Sequence, residues 1–362
     1  MRTKYYSLKN ILAKDCRYNL IFGERSKGKT TAILEYCVKR YYDYEEQSAY
    51  IRRWDTDFSG KRGSNLYSDI VSRGRIKDIT HNMWTDIYYY GGKWYLCKFD
   101  SSGKREIDTE PFMWGFALNT MEHDKSTSYP KITTIFFDEF LTRTTYIVDE
   151  FVIFCNVLST IIRHRDNVKI FMAGNTINKY CPYFSEMGLT NVKRMKPGTI
   201  DIYTYGESKL SVAVEYTEPD TRGKNSDLYF AFKNPKLSMI TGGNWELALY
   251  PHCPMKYLPQ DIVFTYFIQF DDELLQAEII QVDDNAFTYI HRKSTPLKNP
   301  DEDLIFSPEY SAKPNWRRKI TKPQTELENA IARYYKKDKV FFQDNEVGDI
   351  VSNYLKWCNK TA

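Results

Sequence analysis

The chain has 362 residues, 42% of them hydrophobic and 16% aromatic, enough for a sizeable core and two domains. A net charge of +4 is too mild to imply a global attraction to nucleic acid, so any such contact must come from local basic patches. Seven scattered cysteines without a CxxC pair argue against a disulfide framework and a zinc site, and no run approaches the ~18 apolar residues of a membrane span.

Tyr18 to Phe22 is a short apolar strand leading into a glycine-bearing turn. From Lys29 to about Tyr42 the spacing predicts a helix, with Ile33, Leu34, Cys37, Val38 and Tyr41 on one face. Ser48 to Arg53 reads as a second strand, and Gly91-Gly92 marks a hairpin between Ile87–Tyr90 and Lys93–Phe99. Ile132 to Phe137 is a β-prone run ending in Asp138-Glu139, Val148 to Arg165 has helical spacing, and Lys169 to Ala173 is another buried strand. Strands separated by helices imply an α/β domain with a mostly parallel sheet over residues 1–205. Residues 206–249, with Gly223, Gly242-Gly243 and Asn244, read as a linker subdomain. Ile262–Phe270, Leu274–Val282 and Ala286–Ile290, split by Asp271-Asp272-Glu273 and Asp283-Asp284-Asn285, predict an antiparallel meander opening a second, α+β domain over 250–362.

Gly23-Glu24-Arg25-Ser26-Lys27-Gly28-Lys29-Thr30, followed by Thr31, satisfies G-x-x-x-x-G-K-[ST]. Its glycines let backbone N–H groups surround phosphates, Lys29 reaches the β and γ phosphates, and the Thr30 hydroxyl suits Mg²⁺. The following helix presents its positive end to the same anion. A chance match occurs in roughly one unrelated chain in a hundred, from ordinary residue frequencies, but here the strand before and the helix after supply the required context. Asp138 and Glu139 then fit the metal-holding and water-polarising carboxylates of ATP hydrolysis. Alone, an acidic pair at a strand end is commonplace. Asn178-Lys179-Tyr180-Cys181 lacks the aspartate of a guanine-reading motif, which favours ATP over GTP.

Arg163-His164-Arg165 closes the predicted helix, where an arginine suits either a helix cap or the γ-phosphate of a neighbouring subunit. Asn175, just after the strand, is placed to sense the γ-phosphate or to make a turn.

The segments YNLIFGERSKGKTT, AYIRRW, SYPKITTIFFDEF, STIIRHRDNVKIFMAGN and CPYF resemble those of the DNA encapsidation (packaging) ATPases of small podophages, which are FtsK/HerA-like ASCE P-loop motors. The likeness continues thinly in KVFFQDNEVGDIVSNYL. It implies a ring, typically a pentamer, that sits on the portal of a procapsid in the host cytoplasm and drives double-stranded DNA inward. The resemblance puts the trans-acting arginine on Arg163, the sensing asparagine on Asn175, and a switch that restrains Glu139 on Arg52 or Arg53, with Arg53 counted among the catalytic residues. One departure stands out. Trp54-Asp55-Thr56-Asp57 follows the two arginines where the family has a DNA-gripping basic residue, so the candidate passes to Lys61 and Arg62, between Gly60 and Gly63.

Packaging ATPases in general carry an RNase H-like domain behind the motor, but Ile262–Phe270 contains no acid, which predicts a nuclease-like fold without activity. Lys313, Arg317, Arg318, Lys319, Lys322, Arg333, Lys336, Lys337 and Lys339, interleaved with Trp316, Tyr334 and Tyr335, form a basic stretch suited to DNA, a structural RNA on the procapsid, or the portal. It is equally suited to a solvated face. Two other functions fit the same sequence: an ATP-dependent nuclease, and a DNA-binding ATPase switch that does not translocate.

Overall fold

The computed structural model describes residues 5–120, 127–142, 146–176, 178–208, 210–218 and 248–360. The chain divides into two compact units, Met1–Trp245 and Glu246–Ala362. The glycines and Asn244 that suggested a linker lie outside the described residues.

The first unit is built on a ten-stranded sheet in the order β3-β4-β6-β2-β7-β8-β1-β10-β9, with β5 on β4. Its strands are β1 Tyr18–Gly23, β2 Gln47–Arg52, β3 Asp86–Tyr90, β4 Lys93–Phe99, β5 Arg105–Ile107, β6 Met113–Ala117, β7 Ile132–Asp138, β8 Lys169–Asn175, β9 Thr199–Thr204 and β10 Ser211–Tyr216. The centre is parallel from β6 to β10, and antiparallel strands close both edges. The sheet therefore runs past residue 205, the boundary expected from sequence. β10 is buried on both faces from Val212 to Tyr216 and belongs beside β1.

Central strands alternate between two cores. Leu20, Phe22, Ile135, Phe137, Ile170 and Met172 face α6 (Glu150–Ile162) and α7 (Pro182–Glu186). Ile21, Tyr50, Phe136, Phe171 and Ala173 face the other side, under α1 (Lys9–Leu12), α2 (Lys29–Tyr44), α4 (Ser68–Ser72) and α5 (Arg75–Ile79). Burial on both faces explains why these strands read as unbroken apolar runs rather than alternating ones. α2 buries Ile33, Leu34, Cys37 and Val38, as its spacing predicts.

The second unit holds a six-stranded sheet in the order β15-β14-β11-β12-β13-β16. β11 Ile262–Phe270, β12 Glu273–Val282 and β13 Asn285–Arg292 form the expected meander. β14 Ile305–Phe306, β15 Trp316–Arg317 and β16 Val340–Phe342 add parallel pairs at both edges. α8 (Glu326–Lys336) precedes β16, and α9 (Asn345–Lys360) packs on β11, β13 and β16.

Candidate nucleotide site

Both halves of the candidate site project from the C-terminal edge of the parallel sheet, the edge where open α/β sheets bind ligands. The strand carrying the phosphate loop and the strand carrying the acidic pair are not neighbours; β8 lies between them. That insertion brings the end of β8 between the two, with Asn175 in register with Gly23 and Ala173 with Asp138. Asn175 is the last residue of its strand rather than a residue beyond it.

Two glycines shape the loop. Gly23 has φ +152°, and a Cβ there would lie 2.1 Å from the Thr217 hydroxyl. Gly28, at φ +83°, caps α2 in the left-handed region, which costs glycine nothing. Lys29 is buried and its ammonium donates to the carbonyls of Gly23 (3.3 Å) and Glu24 (2.6 Å) and to Asn175 Oδ1 (3.3 Å). Burial pulls its pKa down to about 8, against the attraction of Asp138.

Thr30 Oγ1 donates to Asp138 Oδ1 at 3.1 Å, so the two oxygen donors expected to share a hard cation are adjacent. Asp138 is itself buried, and desolvation raises its pKa even though Arg52 opposes the shift. Tyr50, on the same face of β2 as Arg52, donates its hydroxyl to Asp138 Oδ2 at 3.2 Å. Glu139 stands outside: its side chain is 59% exposed, and its backbone has φ +57°.

The two adjacent arginines diverge. Arg52 reaches three carboxylates, with Nη2 on Glu139 Oε2 at 2.8 Å, Nη1 3.8 Å from Asp138 Oδ2 and Nε on Asp57 Oδ2 at 3.1 Å. Arg53 turns the other way and pairs with Glu150. The expectation that placed Arg53 among the catalytic groups is corrected on this point. Arg52 ends β2, and successive side chains of an extended chain leave on opposite sides, so only one of the pair can reach the carboxylate.

Lys61 and Arg62 do not sit in a free loop. They begin the short helix α3 (Lys61–Asn65), and Gly63 is buried beneath the Tyr89 ring, where a Cβ would come within 2.3 Å. Its carbonyl accepts the Trp94 indole N–H at 2.8 Å. Both basic residues are exposed, and Arg62 lies 3.7 Å from Asp57, the same acid that holds Arg52. Beside them opens a cleft of about 430 Å³, lined by Tyr50, Arg52, Asp57, Arg62, Gly63, Asn65, Leu66 and Trp94.

α6 stops at Ile162, and Arg163 follows it with φ +52°, exposed, its Nη2 donating to the Thr127 carbonyl at 3.0 Å. Arg165 is bound to the start of β7, donating to the carbonyls of Pro130 (3.0 Å) and Ile132. Arg163 and Arg165 thus lie toward the start of β7, the end of that strand away from Asp138.

A model of the podovirus DNA encapsidation protein (Gp16) family matches residues 1–199, more than half of the 362-residue chain. The chain belongs to that family. The DNA packaging proteins of Bacillus phages PZA and phi29 are each 26% identical over 186 residues, 51% of this chain and 50% of each relative. The chain thus spans about half the length of the curated relatives it matches. Two solved packaging motors share its fold. That of the Phi-28 gp11 DNA packaging motor has a TM-score of 0.55 at 17% identity, covering 99% of this chain and 98% of that one. The bacteriophage Phi-29 genome packaging motor assembly has a TM-score of 0.57 at 18% identity, covering 96% and 98%.

The turn acids of this encapsidation-family protein's second unit do not converge. The turns at Asp271-Asp272 and Asp283-Asp284 lie at opposite ends of the ten-residue β12, about 30 Å apart, because successive hairpins of a meander alternate ends. Glu278, unnoticed in the sequence, is buried mid-strand and accepts from Tyr257 Oη (2.8 Å) and Gln276 Nε2 (2.6 Å), with His291 Nε2 at 3.4 Å. That partner raises the His291 pKa. The basic stretch is also thinner than its spelling. Arg317 is tied to buried Glu328 at 2.6 Å and Lys313 to Asp301 at 2.7 Å, while Tyr335 turns inward to Tyr266. Arg318, Lys322, Arg333, Lys336, Lys337 and Lys339 remain exposed.

Proposed function

We propose that this protein hydrolyses ATP with Mg²⁺ and uses the energy to drive double-stranded DNA into a procapsid, working as one subunit of a homo-oligomeric ring, a pentamer by family likeness. The observation that carries this reading is the convergence of Lys29, Thr30, Asp138, Asn175 and an arginine-held Glu139 on one edge of a parallel sheet. Lys29 binds the β and γ phosphates alongside the N–H groups of Gly23 to Thr31, at the positive end of α2. Thr30 and Asp138 offer the hydroxyl and carboxylate oxygens that Mg²⁺ takes, and the ion when bound neutralises charge on the phosphates. Asn175 is within reach of the same phosphate through its contact with Lys29.

Glu139 orients the attacking water. For that its carboxylate must leave Arg52, so Arg52 is the restraint on turnover and DNA is the signal that lifts it. Lys61 and Arg62 are the exposed cations of α3 that take the DNA, and Arg62 connects to that restraint through Asp57. Arg163 stabilises the γ-phosphate of another copy; its remoteness from the acidic pair of its own chain supports action in trans.

The second unit is an RNase H-like domain without nuclease activity. A meander followed by strands parallel to its first supports the fold, and the separation of the turn aspartates supports the lost chemistry, since a two-metal site needs converging carboxylates. Its exposed basic residues serve binding to the portal, a structural RNA or DNA. The ring works at the procapsid in the host cytoplasm. Mixing tests the central claim: Arg163→Ala subunits and Glu139→Gln subunits, each inactive alone, regain part of the DNA-dependent ATP turnover when combined. Strictly additive activity in the mixture would remove the trans arginine.

A further inference from the structure

Glu150 opens α6 and is only 2% exposed, a costly place for a carboxylate without partners. It has four. Oε2 accepts from Arg53 Nε (2.8 Å) and the Ile147 N–H (2.7 Å), and Oε1 accepts from Arg53 Nη2 (2.8 Å) and the Tyr183 hydroxyl (3.0 Å). The two Arg53 bonds are the bidentate fork that fixes a guanidinium plane in space.

The rest of that guanidinium is spent on main chain. Arg53 Nη1 donates to the Glu139 carbonyl at 3.2 Å, and Nη2 to the Phe140 carbonyl at 3.0 Å. Glu139 occupies the left-handed region at φ +57°, which a residue with a Cβ keeps only when its surroundings hold it there. Its own N–H is held from the opposite side by Asp138 Oδ1 at 3.1 Å, and the Phe140 N–H donates to the Ala173 carbonyl at 3.2 Å. The Glu139 peptide is therefore gripped on both sides while its side chain is exposed and restrained by Arg52 alone among the contacts described. Two neighbouring arginines divide the work: one takes the carboxylate, the other the backbone it springs from.

We propose that Glu150 is a positioning residue for Glu139, fixing through Arg53 the backbone geometry from which the Glu139 carboxylate swings onto the attacking water. The inference rests on the reading of Glu139 as the water-orienting group. A merely structural buried acid would matter to folding alone; this one sets where the carboxylate arrives once Arg52 lets go. A misplacement on the order of 1 Å at such a group costs about 100-fold in rate.

The test is Glu150→Gln in the full chain, below its melting temperature, with steady-state and single-turnover ATP hydrolysis and binding of a non-hydrolysable ATP analogue. The expected result is a fall in kcat of about 100-fold, with KM and analogue affinity unchanged, and no further fall when the change is added to Glu139→Gln. Analogue affinity lost in step with kcat, or losses that multiply in the double variant, would overturn the proposal. Should Glu150→Gln not fold, Tyr183→Phe removes one of the four bonds and must show the same pattern at smaller amplitude. Lys29→Ala separates the two readings. If it leaves turnover intact, the nucleotide site itself is misassigned; if it abolishes turnover while Glu150 and Glu139 act independently, only the positioning role falls.

Discussion

Arg52 and Glu139 meet at 2.8 Å across the end of the parallel sheet, and the contact sits on the exposed rim of the site. An exposed pair of this kind is worth about 1 kcal/mol at most, a restraint that binding energy can easily overcome. Arg52→Ala is therefore expected to raise DNA-free ATP turnover, by up to about five-fold on that energy, and to flatten the response to duplex DNA. A drop in DNA-free turnover would show that Arg52 serves the reaction rather than holding it back.

The adjacent change should behave differently. Arg53→Ala leaves the Glu150 carboxylate buried without its cation, which costs about 3–5 kcal/mol. Urea unfolding of the two variants side by side checks this: the midpoint falls far for Arg53→Ala and little for Arg52→Ala. Equal midpoints would contradict the division of labour between them.

Lys29 gives a pH dependence with a definite sign. Burial lowers its folded pKa to about 8, from an ordinary value of 10.5. Between those values the unfolded chain binds the extra proton, so this group's contribution to stability improves as pH rises through that window. Function goes the opposite way, because phosphate binding needs the ammonium. kcat/KM, which reports the free enzyme, should fall above about pH 8, while kcat holds because bound phosphates keep Lys29 protonated. A kcat/KM flat to pH 9.5 would mean that the ammonium is not lost there.

Arg163→Ala should lose 10³-fold or more in DNA-stimulated turnover, on the order of magnitude for an arginine finger, with an unchanged melting temperature, since its side chain is exposed. Arg165→Ala should do the reverse, lowering the melting temperature by freeing the carbonyls at the start of β7. The pairing of the two results, by calorimetry and phosphate release, is the check.

Plasmid incubated with the protein and Mn²⁺ should stay uncut. Cleavage abolished by replacing Asp271 or Asp283 would show carboxylates acting together that β12 holds about 30 Å apart, and would restore the nuclease alternative.

Much of this was legible in the spelling of the chain because it is carried by local pattern. The phosphate loop, the helix behind it and the apolar strand ending at Asp138 are each set by contiguous residues, as is the meander of the second unit. What escaped is set by tertiary pairing. No periodicity says which of Arg52 and Arg53 faces the acidic pair, although Tyr50, two residues back and bonded to Asp138, carries the parity that decides it. Glu150 reads as an ordinary acid in a first helical turn, and Glu278 as a polar position in an alternating strand, until the fold buries both. β14 and β15 are two residues each, too short for any pattern, and β10 lies past residue 205, where the sequence places the end of the first domain.

α6 is fastened to one strand at both of its ends: through Glu150 and Arg53 to the turn after Asp138, and through Arg165 to the carbonyls where β7 begins. A rod pinned twice to the same beam has no hinge. Arg163 follows directly on that doubly tied helix, so its backbone position is coupled to the strand that carries Asp138.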